Sequence, residues 1–226
     1  MIPIQIKICG ITNALDAQAS VRLGAKMIGF NFYPRSPRYV TPEAAQEIVG
    51  ALPDATCAVG VFVDADPKEI RKTAELAGVH CVQLHGQTTP ETCSELAREF
   101  RVIRAFTTDA QFRAENAAAF SDCDVLVDAY HPDIRGGTGQ TCDWSAARAT
   151  LDFTRFLILS GGLNAQNVGR AVATVTPHAI DVCSGIESAP GIKNHRALKK
   201  FIAAVRAADR SVHATSIHQP PPTMSS

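Results

Sequence analysis

Cys9 is a thiol in a position to react. In the run Lys7-Ile8-Cys9-Gly10-Ile11-Thr12, the side chains of Ile4, Ile6 and Ile8 alternate with those of Gln5, Lys7 and Cys9. That period of two sends the two sets to opposite faces of a strand. Gly10 permits a sharp bend, and Thr12 or Asn13 can cap the apolar-striped helix that follows. The sulfur is therefore expected where a strand stops and a loop opens. The same alternation turns Gln83 and His85 away from Val82 and Leu84, Asp128 away from Val125 and Val127, and Asp181 and Cys183 away from Ile180 and Val182. A thiol and two carboxyls at strand ends stand where a barrel enzyme would keep its reactive groups. Simpler roles suit some of the others: His85 as a hydrogen-bonded core histidine, Lys7 as the partner that positions a carboxylate, and most cysteines as small buried hydrophobes. Asp128 precedes a long glycine-rich loop, and there a chemical role is the better reading.

The elements that must hold these groups recur in units of roughly 25 residues, with a strand and then a helix in each. Strand patterns run at 4–9, 27–32, 57–63, 79–84, 102–107, 125–129, 156–160 and 179–183. Between them lie helical patterns at 14–23, 42–52, 67–77, 90–100, a weak one at 110–120, a short one near Trp144, and 165–174. A last helix covers 195–208. Thr41, Asp66 with Pro67, Thr89 and Asn164 read as helix starts. Eight such units predict a closed parallel (β/α)8 barrel (a TIM barrel) of class α/β; an open doubly wound sheet is the alternative. In a barrel the groups above fall at the carboxyl ends of their strands, the end where barrel enzymes work. Their burial would cost about 1–3 kcal/mol each if unpaired, so such a cluster calls for a function. Residues 1–208 read as one catalytic domain. Residues 209–226, with Gln219-Pro220-Pro221-Pro222, read as a disordered tail.

Two glycine-rich turns follow the last two strands: Ser160-Gly161-Gly162-Leu163, and Ser184-Gly185 after Asp181. Backbone N–H groups there can approach an anion closely, and in barrels a phosphate commonly sits at this place. A phosphorylated small molecule is the expected ligand, with Gly161, Gly162, Ser184 and Gly185 around it. Gly136-Gly137-Thr138-Gly139 matches no nucleotide-binding fingerprint.

Lys plus Arg and Asp plus Glu number 22 each, and hydrophobic residues make up 46% of the 226 residues. The balance gives no field to attract nucleic acid or an acidic membrane, and the apolar share supports a large core. No stretch approaches the length of about 18 apolar residues that a membrane span requires, and the start lacks a signal-peptide pattern. A cytoplasmic protein is expected. Seven scattered cysteines with no C-x-x-C pair suit neither a disulfide scaffold nor a zinc site.

The pieces KICGIT (7–12), GF at 29 with SPR (36–38), GVFV (60–63), QLHG (83–86), LVDA (126–129), GGTG (136–139) with DW (143–144), LSGGL (159–163), DVCSGIE (181–187) and PGIK (190–193) form an ordered set. Together they resemble the phosphoribosylanthranilate isomerase family, from Lys7 to about Lys193. The resemblance implies an Amadori rearrangement in tryptophan biosynthesis. N-(5-phosphoribosyl)anthranilate becomes 1-(2-carboxyphenylamino)-1-deoxyribulose 5-phosphate, without metal or organic cofactor. It implies Cys9 as general base, Asp128 as general acid, Arg38 as holder of the anthranilate carboxylate, and Asp181 as an assisting acid. A monomer or a homodimer is expected.

A thiol near its ordinary pKa of about 8.5 is only a few per cent thiolate at neutral pH. Something must depress Cys9, and Lys7, two residues along the same face, is the candidate. Cys183 stands where the family commonly has serine, Cys142 where an aromatic is frequent, and Asn194 where aspartate is common. Two rival functions are an isomerase that also takes the histidine-pathway aminoaldose, and a non-catalytic phosphoribosyl sensor. Independence from Arg38 would favour the first; a chain that needs neither base nor acid would favour the second.

Overall fold

The computed structural model describes residues 2–128 and 144–217. Eight strands, β1 (Gln5–Ile8), β2 (Met27–Asn31), β3 (Cys57–Val63), β4 (Cys81–His85), β5 (Arg101–Thr107), β6 (Asp124–Asp128), β7 (Leu157–Ser160) and β8 (Ala179–Val182), pair in sequence order, all parallel, and close into a barrel. Closure is the pairing of β1 with β8, in which Lys7 stands opposite Asp181 and Ile8 opposite Val182. Helices α1 (Ala14–Arg22), α2 (Pro42–Gly50), α3 (Pro67–Ala77), α4 (Pro90–Leu96), α5 (Trp144–Thr150), α6 (Val168–Val175) and α7 (His195–Ile217) surround it, with a 3-10 helix at Ala114–Phe120 between β5 and β6. The expected (β/α)8 barrel is present.

Strand alternation builds two separate cores. One face of each strand feeds a large apolar shell beneath the helices, with Ile6, Ile8, Val82, Val125, Val127 and Ile180 all at 0% exposure. Each such side chain contributes about 2 kcal/mol of burial. The other face fills the barrel with Met27, Val59, Cys81, Ile103, Leu126, Ile158 and Ala179. Above that plug the inward positions turn polar: Lys7, Gln83 and Asp181 are buried.

Asn13, Thr41, Asp66 and Thr89 cap α1 to α4 through their side chains, as the sequence suggests; a cap of this kind is worth about 1 kcal/mol. Asn164 does not start a helix. Its Oδ1 accepts from the N–H groups of Gln166 and Asn167, closing a turn, and α6 begins only at Val168. A second departure lies at the other end. Residues 209–217, expected as tail, continue α7, because the Asp209 carboxylate is buried and accepts from the Ile4 N–H at the foot of β1. A third is a small antiparallel hairpin after β8, formed by β9 (Glu187–Ala189) and β10 (Ile192–Lys193) around Pro190-Gly191. Gly136-Gly137-Thr138-Gly139, Cys142 and Asp143 lie outside the described residues.

Candidate active site

Cys9 follows β1 at the carboxyl end of the barrel, its N–H donating to the Val182 carbonyl at 2.9 Å. On one side it meets Lys7, a lysine with no solvent exposure whose ammonium lies 3.0 Å from the Asp181 carboxylate. The two can share that space because β2 offers Gly29: a Cβ there would stand 3.0 Å from the Cys9 sulfur and 3.2 Å from Lys7 Nζ. Burial alone would strip the Lys7 proton, but the Asp181 carboxylate and Cys9 outweigh it and hold the ammonium above its ordinary pKa. Lys7 is therefore charged throughout the working range.

On its other side Cys9 meets Cys183. The neighbouring Cys183 does most to lower the pKa of Cys9, while its own Sγ donates to Glu187 Oε1 at 3.7 Å and accepts from Lys193 Nζ at 3.8 Å. Burial opposes that lowering of Cys9, the Lys7 and Lys193 ammoniums add to it, and Asp181 works against it. The balance brings Cys9 down to about 6, while Cys183, left with the proton, is pushed well up. At neutral pH the sulfur of Cys9 is a thiolate, so it can serve as a base. Lys7 does contribute, as the sequence suggests. The larger cause is a second cysteine on the neighbouring strand.

Asp128 ends β6, half-buried, and its carbonyl accepts from Thr108 N at 3.1 Å. It lines a cavity of about 320 Å3 with Gly161, Gly162, Asp181, Cys183 and Ser184. Asp181 and Cys183 thus belong both to this cavity and to the surroundings of Cys9. Asn167 Nδ2 donates to the Gly162 carbonyl at 3.0 Å, fixing the first glycine turn, and Ser184 opens a single 3-10 turn. Gly185 has its back to the Leu163 carbonyl, where any Cβ would collide, and lines a neighbouring cavity with Asn194, Arg196 and Lys200. His85 is neutral, its pKa brought down to about 4 by burial first and by Lys7 second, and it shares a 2.6 Å hydrogen bond with Gln83. The hydrogen bond expected of it is present.

Arg38 projects from the loop after β2, whose backbone is pinned by Ser36 Oγ accepting from the Arg38 N–H. Only Gly10 separates it from Cys183: a Cβ on Gly10 would lie 2.7 Å from Arg38 Cδ and 2.9 Å from the Cys183 sulfur. Its guanidinium is clasped by Glu187, a residue that sequence reasoning gave no role. Glu187 faces Lys193 across the hairpin, and the Pro190-Gly191 turn between them was the available signal. Asn194 replaces the common aspartate without loss of function as a cap, since its Oδ1 accepts from Ala197 N at 3.0 Å.

The family model described as N-(5'-phosphoribosyl)anthranilate (PRA) isomerase matches residues 6–204. A Thermotoga maritima N-(5'-phosphoribosyl)anthranilate isomerase is 43% identical over 199 residues, covering 88% of this chain and 97% of the relative. One from Geobacter sp. (strain M21) is 42% identical over 205 residues, covering 89% and 98%. The crystal structure of the Thermotoga maritima enzyme superposes with TM-score 0.84 at 42% identity, covering 90% of this chain and 99% of that one. A further isomerase structure, holding reduced 1-(o-carboxyphenylamino)-1-deoxyribulose 5-phosphate, superposes with TM-score 0.81 at 40% identity, covering 90% and 99%.

Proposed function

The chain belongs to the N-(5'-phosphoribosyl)anthranilate isomerase family, and from that premise we propose how its own residues divide the work. It is an isomerase of tryptophan biosynthesis, converting N-(5'-phosphoribosyl)anthranilate into 1-(o-carboxyphenylamino)-1-deoxyribulose 5-phosphate. The observation that carries the division of labour is the Cys9 sulfur, ionised at neutral pH at the rim that also bears Asp128.

Asp128 acts as the acid. It gives a proton to the furanose ring oxygen, the C1–O bond breaks, and the anilino nitrogen's lone pair closes a C=N bond. The cation so formed acidifies the proton on C2. Cys9 takes that proton, and the freed electron pair becomes the C1–C2 double bond of an enolamine. A proton added at C1 and one lost from the C2 hydroxyl give the ketone, so the substrate gains and loses nothing overall. Lys7 keeps Cys9 ionised, and Asp181 keeps Lys7 charged and in place. The phosphate rests on the backbone of Gly161, Gly162, Ser184 and Gly185, where glycines and a turn's N–H groups suit an anion. The Arg38 fork takes the ring carboxylate, because a planar bidentate donor matches it better than a point charge.

The expected ligand is thus a phosphorylated small molecule, and a monomer or homodimer in the cytoplasm fits the same reading. Among the described residues no helix is long and apolar enough to cross a membrane. The test is turnover of N-(5'-phosphoribosyl)anthranilate, followed as loss of its fluorescence. Arg38→Ala should raise KM with kcat little changed, and an unchanged KM would remove Arg38 from carboxylate binding.

A further inference from the structure

Glu187 carries no proton in the steps above, and Lys193 enters them only as an ammonium that favours the Cys9 thiolate. Yet both side chains are buried there, with exposures of 5% and 0%, and Glu187 also accepts from Cys183 Sγ at 3.7 Å. They stand opposite each other in the β9–β10 hairpin. Thr12 Oγ1 holds that hairpin by donating to the Gly191 carbonyl at 2.6 Å, and Asp16 Oδ2 by accepting from Lys193 N at 2.8 Å. Lys193 Nζ donates to Glu187 Oε1 at 2.8 Å and to the Cys9 carbonyl at 2.6 Å. Glu187 grips Arg38 along one edge: Nε reaches Oε1 at 3.0 Å and Oε2 at 3.1 Å, and Nη2 reaches Oε2 at 2.7 Å. Burial pushes the Glu187 carboxyl up, but Arg38 and Lys193 overcome that and bring it down to about 2, so the grip is ionic at any working pH.

A guanidinium has five N–H donors in a rigid fork. The edge-on grip uses Nε–H and one hydrogen of Nη2. The end of the fork, formed by Nη1 and the other Nη2 hydrogen, is the edge that a second carboxylate would take. Glu187 therefore holds Arg38 without covering the edge that would meet the substrate.

We propose that Glu187 is a positioning residue for recognition of the substrate's ring carboxylate: it clamps Arg38 side-on, and Lys193 ties the clamp to the Cys9 backbone. The inference rests on the assignment of Arg38 to that carboxylate. Two effects compete when Glu187 is neutralised. Loss of a negative charge strengthens the pull on an anion, whereas loss of the clamp restores Arg38's rotamer freedom and weakens binding. The clamp dominates, because the substrate must then order a long side chain at a penalty of about tenfold in affinity.

The experiment is a double-mutant cycle on N-(5'-phosphoribosyl)anthranilate with Arg38→Ala, Glu187→Gln and the pair. Glu187→Gln should raise KM about tenfold with kcat changed less than about threefold, and should add less than about twofold once Arg38 is alanine. A KM that stays put or falls in Glu187→Gln, while Arg38→Ala raises it, overturns the clamp and leaves the Arg38 assignment standing. Effects that multiply in the pair overturn it too, because Glu187 would then act independently of Arg38. An Arg38→Ala variant with unchanged KM removes both readings. Should Glu187→Gln fail to fold, Glu187→Asp, one methylene short of the guanidinium, takes its place in the cycle with the same criteria.

Discussion

Neighbouring cysteines influence each other at both ends of the barrel, Cys9 with Cys183 and Cys57 with Cys81, and only the first pair stands beside the groups to which the proton transfers are assigned. At the carboxyl end Cys183 does most to lower Cys9; at the amino end Cys81 does most to lower Cys57, which is brought down to about 7 with help from Arg101 and Lys7 and against burial. By thiol acidity alone the two ends look alike. They differ in what surrounds the sulfur. Arg101 beside Cys57 is already bound to Asp124 at 2.6 Å. Cys9 is flanked by the unexposed ammonium of Lys7, by an arginine whose Nη1 has no hydrogen-bond partner among the described residues, and by a glycine-lined cavity containing a carboxyl. A depressed thiol follows from packing two cysteines on adjoining strands. A base in a mechanism also needs a partner that returns a proton and an anchor that fixes the substrate.

The sharpest way to break this contrast is to remove the sulfurs in turn. Cys9→Ala should lower kcat about a thousandfold, in the middle of the range for one proton-transfer group, while Cys57→Ala should stay within about twofold. Equal losses in steady-state rates would erase the distinction between the two ends. Asp128→Asn should lower kcat about a hundredfold with KM little moved; full activity there would reject the acid.

Smaller effects appear in titrations. A thiol whose folded pKa is depressed is ionised above that value and protonated below it, so kcat/KM should fall as pH drops through about 6 in the native protein. Alkylation of Cys9 should be half-maximal at the same point, and that of Cys57 near 7, when peptides are quantified by mass. Lys7→Met should move the Cys9 midpoint up by about one to two pH units, and superimposable curves would dismiss the ammonium's influence. Cys183→Ala removes the larger cause and should shift it upwards by more than Lys7→Met does, with Cys183→Ser falling short of Cys183→Ala because a hydroxyl is still polar.

Much of this was legible in sequence because alternation is a local signal. Ile4, Ile6 and Ile8 fix the phase of β1, so Lys7 and Cys9 had to point inward, and the same rule placed Asp128, Asp181 and Cys183 on the inner face. Caps at Asn13, Thr41, Asp66 and Thr89 were legible for the same reason. Asn164 misled because an asparagine closing a turn and one starting a helix look alike until the backbone is seen. The influence of Cys183 on Cys9 depends on β1 meeting β8, a closure no local pattern records. The grip of Glu187 on Arg38 spans 149 positions. Asp209 was assigned to the tail because a lone carboxylate carries no sign of the backbone N–H it will satisfy.

The joining of β1 to β8 also sets an order of events. Cys183, Asp181 and Lys193, three of the four groups that govern the acidity of Cys9, all lie near the far end of the chain. While the polypeptide is still being made, the ninth residue emerges early with the ordinary reluctance of a cysteine to ionise. It becomes aggressive only after the final strand docks, so the growing chain is spared its own reagent until the vessel is sealed.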